Sequence, residues 1–154
     1  MASVKRAKTL IVIDSKMGNP SAISLYSIGE EAGRSASIRF RVSQVRLQRE
    51  VGKKTAKIRL FKRLVVRLRE GRMETATFAR VLARFLQGEF AQCVCAERSY
   101  DMPTNACLVL KVEEIEDEIT LRFTDMDSIV EYGPQIKIRI RDISNLNLEG
   151  ISHD

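Results

Sequence analysis

Few side chains in this 154-residue chain have the types and spacing that catalysis or metal binding needs. The single histidine, His153, stands one residue from the end of the sequence, where no neighbouring element would fix an imidazole. Histidine-based proton transfer, a catalytic triad and a histidine-ligated metal are therefore not expected. Cys93, Cys95 and Cys107 could offer three thiolates to zinc, but C-x-C is not the usual ligand spacing and no fourth ligand is evident. None of the eight glycines composes a phosphate-cradling loop of the Walker or dinucleotide kind. The acids Glu113, Glu114, Glu116, Asp117 and Glu118 crowd into six residues. Such a cluster can hold Mg²⁺ for nucleic-acid cleavage, or form a solvated or partner-facing turn. The turn is the preferred reading, with Glu113, Glu114 and Glu116 assigned to self-association. The expectation is a protein without catalytic residues, metal, cofactor or small-molecule substrate, a metal-dependent nuclease being the less favoured alternative.

The basic residues are more informative than the missing chemistry. Net charge is +1 over residues 1–33 (four basic, three acidic), +13 over 34–84 (sixteen and three) and −8 over 85–154 (six and fourteen), which together give +6. Asymmetry of this kind is the usual footprint of a polyanion-binding face. The stretch KIRLFKRLVVRLREGR, residues 57–72, holds seven Lys or Arg against one carboxylate, Glu70. Arg39, Arg41, Arg46, Lys57, Arg59, Lys62, Arg63, Arg67 and Arg69 are the candidate contacts, neutralising the phosphates of nucleic acid or nucleoprotein, or an anionic membrane surface. Only Phe40 and Phe61 lie among them, and both read as core, so contact with the backbone is expected rather than base stacking.

The elements that would carry these residues follow from hydrophobic period. Thr9 to Ile13 reads as a buried strand closed by Met17-Gly18-Asn19-Pro20, and Ile23, Leu25 and Tyr26 suggest a second strand. Residues 38–42 alternate apolar and polar, then skip to Val45 and Leu47 as a β-bulge would. Residues 57–69 fit either period, and the preceding Gly-containing turn favours a long basic β-hairpin over an amphipathic helix. Phe78, Val81, Leu82, Phe85 and Leu86 predict a helix over about 75–87, with Glu74 and Thr75 as start signals and Gly88 as the stop. Cys107 to Val112 and Ile119 to Thr124 read as strands around the acidic turn, and Gln135 to Arg141 as another.

Chain length, 44% hydrophobic content and sparse aromatics point to a single domain over residues 1–154 with an aliphatic core. Its fold class is α+β, a mainly antiparallel sheet with one principal helix packed on it, a short flexible N-terminus (1–8) and a polar tail (145–154). Three cysteines do not suggest a secreted disulfide framework, and the apolar run ending at Asp14 is too short for a signal peptide or membrane span. An intracellular protein of cytoplasm or nucleus, or of the virion if viral, is expected. The order of long basic strand, Gly71 turn, helix from Glu74 to Gln87 and further strands resembles the core of rhabdovirus-type matrix proteins. That resemblance implies a non-enzymatic structural protein that forms homo-oligomers and bridges nucleoprotein RNA to an anionic membrane. The chain has no P-P-x-Y motif and no long Lys-rich arm, so no residue role is carried over. The alternative is a monomeric, sequence-tolerant RNA-binding protein, of silencing-suppressor or ribosome-associated type.

Overall fold

The computed structural model describes residues 8–28, 36–50, 61–92, 107–125, 130–144 and 146. These form, in chain order, β1 (Thr9–Lys16), β2 (Asn19–Ser27), β3 (Ser37–Arg41), β4 (Gln44–Arg46), β5 (Arg63–Leu68), α1 (Met73–Phe85), β6 (Glu89–Gln92), β7 (Cys107–Ile115), β8 (Glu118–Thr124) and β9 (Gln135–Arg139). Strands β1, β2 and β3 make a small antiparallel meander, and the other six make one sheet in the order β4-β9-β8-β7-β5-β6. Only β5 runs parallel to its neighbours, β6 and β7, and the remaining pairs are antiparallel. The fold is α+β, a mainly antiparallel sheet with one principal helix.

Register divides the large sheet into a covered face and a more open, charged one, on which Cys107, Val109, Thr124 and Gln135 are nonetheless buried. Val66 and Leu68 stand beside Leu110 and Val112, which stand beside Phe123 and Leu121. Ile119 and Leu121 in turn meet Ile138 and Ile136. This aliphatic face packs against Phe78, Val81, Leu82 and Phe85 of α1 and against Ile23, Leu25, Ile38 and Phe40 of the small sheet. Each such side chain contributes about 1.5–3 kcal/mol on leaving water. Phe40 and Phe78 meet edge to face at 5.1 Å, joining the small sheet to the helix.

The helix owes its stripe to local sequence but its first turn to a distant residue. Arg72, at the N-cap, offers no side-chain cap. Instead Glu114 on β7 supplies the carboxylate: its Oε2 accepts from the Arg72 backbone N–H at 2.8 Å and from the Thr75 hydroxyl at 2.6 Å. Gly71 allows that approach, because a Cβ there would lie 2.9 Å from Glu114 Oε2. At the other end, Gln87 adopts φ 54°. Gly88 N–H donates to Ala83 O and Gln87 N–H to Arg84 O, the bond pair of a Schellman motif. A Cβ on Gly88 would meet Leu64 O at 2.9 Å, so this glycine lets the chain pass close to β5.

Four expectations need correction. Residues 63–68 do form a strand, but not the expected hairpin: β5 is sandwiched between β6 and β7, and β7, β8 and β9 separate it from β4. The βαβ connection through α1 gives β5 a parallel partner that local pattern does not reveal. The skip after residue 42 is not a bulge within one strand: β3 belongs to the small sheet and β4 to the large one, so the chain changes sheets there. The acidic turn is only Glu116-Asp117, since Glu113 and Glu114 lie within β7. Finally, β1 is a strand but not a buried one, with Leu10, Ile11, Val12 and Ile13 all exposed. The tail from residue 147, the N-terminal residues 1–7, Cys93, Cys95 and His153 lie outside the described residues.

Candidate nucleic-acid interface

The open face of the large sheet carries a row of cations that runs across its strands. Arg67 on β5 pairs in register with Ala91 on β6 and with Lys111 on β7, and Lys111 pairs with Arg122 on β8. Strands β8 and β9 pair from Glu118–Arg139 to Leu121–Ile136, which leaves Arg122 level with Gln135, and Gln135 pairs with Arg46 on β4. The row is thus Arg67, Lys111, Arg122, Gln135 and Arg46. With strands about 4.8 Å apart, its four steps span roughly 19 Å. Period-2 alternation puts these side chains on one face while Val66, Leu110, Leu121 and Ile136 fill the other.

Carboxylates answer part of this charge. Arg122 Nη1 lies 3.3 Å from Glu113 Oε2, and its Nε lies 3.5 Å from Glu131 Oε1. Glu131 is buried, 2% exposed in its side chain, and accepts from Gln135 Nε2 at 2.7 Å. A buried carboxylate needs such partners, which gives Arg122 a structural duty beside any binding one. Along the same face Arg63 pairs with Glu89, and Lys137 Nζ lies 3.6 Å from Glu118 Oε2. Arg67 differs. Its Nε is buried and has no hydrogen-bond partner, and the same holds for Arg122 Nε, whose contact with Glu131 is one of charge alone. A guanidinium N–H shielded from water and left unbonded loses free energy. The Cys107 thiol also sits on this face; burial pushes its pKa up, partly offset by the nearby positive charges of Arg63 and Arg67.

The sequence candidates do not form one surface. Arg63 and Arg67 lie on the open face of the large sheet, with Arg46 at its far edge. Lys62 and Arg69 are exposed at the two ends of β5. Arg39 and Arg41 are exposed on β3 of the small sheet, and Arg39 Nη2 pairs with Asp14 Oδ2 at 2.7 Å. Lys57 and Arg59 lie outside the described residues. Of the acids assigned to self-association, Glu113 and Glu114 are engaged within the chain, and Glu116 is exposed at the tip of the β7–β8 turn with φ 56°. Phe40 is core, whereas Phe61 is half-buried and meets Tyr132 edge to face at 5.1 Å. Lys111 and Arg122 were missed because they sit in the acidic third. Their signal was the alternation of Leu110, Lys111, Val112 and of Leu121, Arg122, Phe123, which places a lone cation on the polar side of each strand.

Among the described residues no group of three or more His, Cys, Asp or Glu side chains is placed to hold a metal ion, and no helix is long and apolar enough to cross a membrane. No protein-family model matches the chain, and no curated protein matches it. Its fold is similar to that of the crystal structure of a probable ribosomal biogenesis protein from Aeropyrum pernix K1. The two align with a TM-score of 0.64 at 19% identity, over 86% of this chain and 68% of that one. At that identity the likeness speaks for the fold alone.

Proposed function

We propose that this chain is a non-catalytic RNA-binding protein of the ribosome-associated type, which grips phosphates through the open face of the six-stranded sheet without reading bases. The observation that carries this reading is the cross-strand row of Arg67, Lys111, Arg122 and Arg46. Phosphate oxygens suit such a row, since charge-assisted bonds to a guanidinium are among the stronger protein hydrogen bonds. The similarity in fold to a probable ribosomal biogenesis protein favours this reading over matrix-like assembly on a membrane. No exposed aromatic side chain stands among the row's own residues, which leaves backbone contact as the means of binding.

Filter binding with single-stranded and structured RNA, run beside flotation with phosphatidylserine vesicles, tests it. RNA of unrelated sequences should bind with similar affinities, and Arg67→Glu should weaken all of them together. Vesicle binding that survives while RNA binding is absent would overturn the proposal and return the membrane-facing reading.

A further inference from the structure

Among the described residues, a run of four exposed aliphatic side chains belongs to a strand that the RNA proposal does not use. In β1, Leu10 and Ile11 are each 50% exposed and Ile13 60%, with Val12 beside them. Among the described residues β1 pairs only with β2, so its other edge carries backbone groups with no strand beside them. The hydrogen bonds show which groups those are. Ile28 N–H donates to Lys8 O, and Ser27, opposite Thr9, donates instead to Ala36 O across the meander. Even-numbered residues of β1 therefore turn toward β2, and by alternation Thr9, Ile11 and Ile13 present N–H and C=O to the open edge. A long, apolar, unblunted edge of this kind is a template for strand addition.

We infer that this edge pairs antiparallel with the same edge of a second copy, about a two-fold axis through Ile11. In that register Ile11 faces Ile11 of the second copy, Leu10 faces Val12, Thr9 faces Ile13 and Lys8 faces Asp14. Odd residues meet odd, so the outward backbone groups find each other and the two sheets continue as one with their faces preserved. Like charge disfavours the neighbouring register centred on Val12, which would put Lys8 against Lys16. In the chosen register each Asp14, already 2.7 Å from Arg39 of its own chain, gains Lys8 of the other. The shift of register between Asp14 and Ser15 ends the flat part of the strand and limits pairing to these residues. The contact is isologous and closes at two copies, unlike a head-to-tail ionic chain. Its apolar centre makes it tolerant of salt.

Sedimentation of the 154-residue chain in 0.1 M and 1 M NaCl tests the contact. A dimer is expected at both, and Ile11→Lys should yield a monomer with an unchanged far-UV circular dichroism spectrum. Ile115→Lys, at another exposed aliphatic on β7, should leave the dimer intact. A cysteine pair tests register: with Cys93, Cys95 and Cys107 changed to Ala, Ile11→Cys should crosslink to itself under mild oxidation, because hydrogen-bonded antiparallel partners are about 5.5 Å apart. Ile13→Cys should not, since four residues of strand, about 13 Å, separate the two copies of that position. A monomer at every concentration and salt, or equal crosslinking at both positions, would overturn the inference.

Discussion

If the cross-strand row grips phosphates, the salt dependence of RNA binding counts its cations. Arg122, Arg63 and Lys137 already answer Glu113 and Glu131, Glu89 and Glu118, so they add little to counterion release. Arg46, Arg67 and Lys62 give about three phosphates neutralised. The plot of log Kobs against log salt for single-stranded RNA should then have a slope of about −2. Between 50 and 200 mM salt, affinity should fall about 20-fold. Arg67→Ala removes one contact and should flatten the slope by about 0.7. Arg39→Ala changes an arginine on the other sheet, paired with Asp14, and should leave the slope where it was. Fluorescence anisotropy with a labelled oligonucleotide across a salt series reads all three proteins. A slope near zero would refute electrostatic gripping altogether. A slope moved by Arg39→Ala and not by Arg67→Ala would place the interface on the small sheet instead.

Two predictions concern the frame that holds the row. Glu114→Ala strands the Arg72 backbone N–H and the fully buried Thr75 hydroxyl at the start of α1, and should destabilise the fold by about 2–4 kcal/mol, whereas Glu114→Gln, which keeps an acceptor, should cost about half as much; urea denaturation of the two variants measures the difference, and equal costs would show that a neutral acceptor at this position does not serve as the cap. Gly88→Ala drives a Cβ against Leu64 O, a backbone atom of β5 that cannot swing aside, and thermal melts should show a loss of about 1–3 kcal/mol.

Period was legible in the sequence, and partnership was not. The stripe Phe78, Val81, Leu82, Phe85 has one structural solution, and α1 occupies Met73–Phe85 against the expected 75–87. Strands β7, β8 and β9 likewise follow their alternation. Which strands pair is a different kind of fact. Residues 57–69 after a Gly-containing turn suggest a hairpin by local rules, yet β5 finds β6 and β7 because α1 carries the chain over the covered face and back. The same gap hid the helix cap. No residue near Arg72 signals it, since the capping carboxylate of Glu114 is 42 residues away in sequence. Charge suffered most from linear reading. Segments of +13 and −8 suggest two faces, but the acidic hairpin β7–β8 is inserted between the basic strands β5 and β4, and its carboxylates pair with Arg72 and Arg122. Segment charge therefore becomes mixed surface, and what remains for a polyanion is set by the cations without such partners.

Two surfaces on different sheets lead to a final prediction that links them. The row lies on the open face of the large sheet and the β1 edge on the small one, so pairing through β1 would leave both rows of a dimer available. Binding of a second row to the same RNA then becomes intramolecular, with an effective concentration in the millimolar range for a short flexible connection. A short oligonucleotide that reaches one row should bind wild type and Ile11→Lys equally, with the same salt slope for each. A long RNA that reaches both should bind the wild type about 10²- to 10⁴-fold more tightly than either row alone, and with a steeper slope. Ile11→Lys should abolish that gain. Because Ile11 is uncharged, its replacement by lysine adds a cation to each chain, so simple electrostatics predicts the opposite result, tighter binding of long RNA by the variant. Titrating both proteins with short and long RNA of the same composition separates the outcomes, and an Ile11→Lys protein that binds long RNA as well as or better than wild type would break the link between the edge and the row.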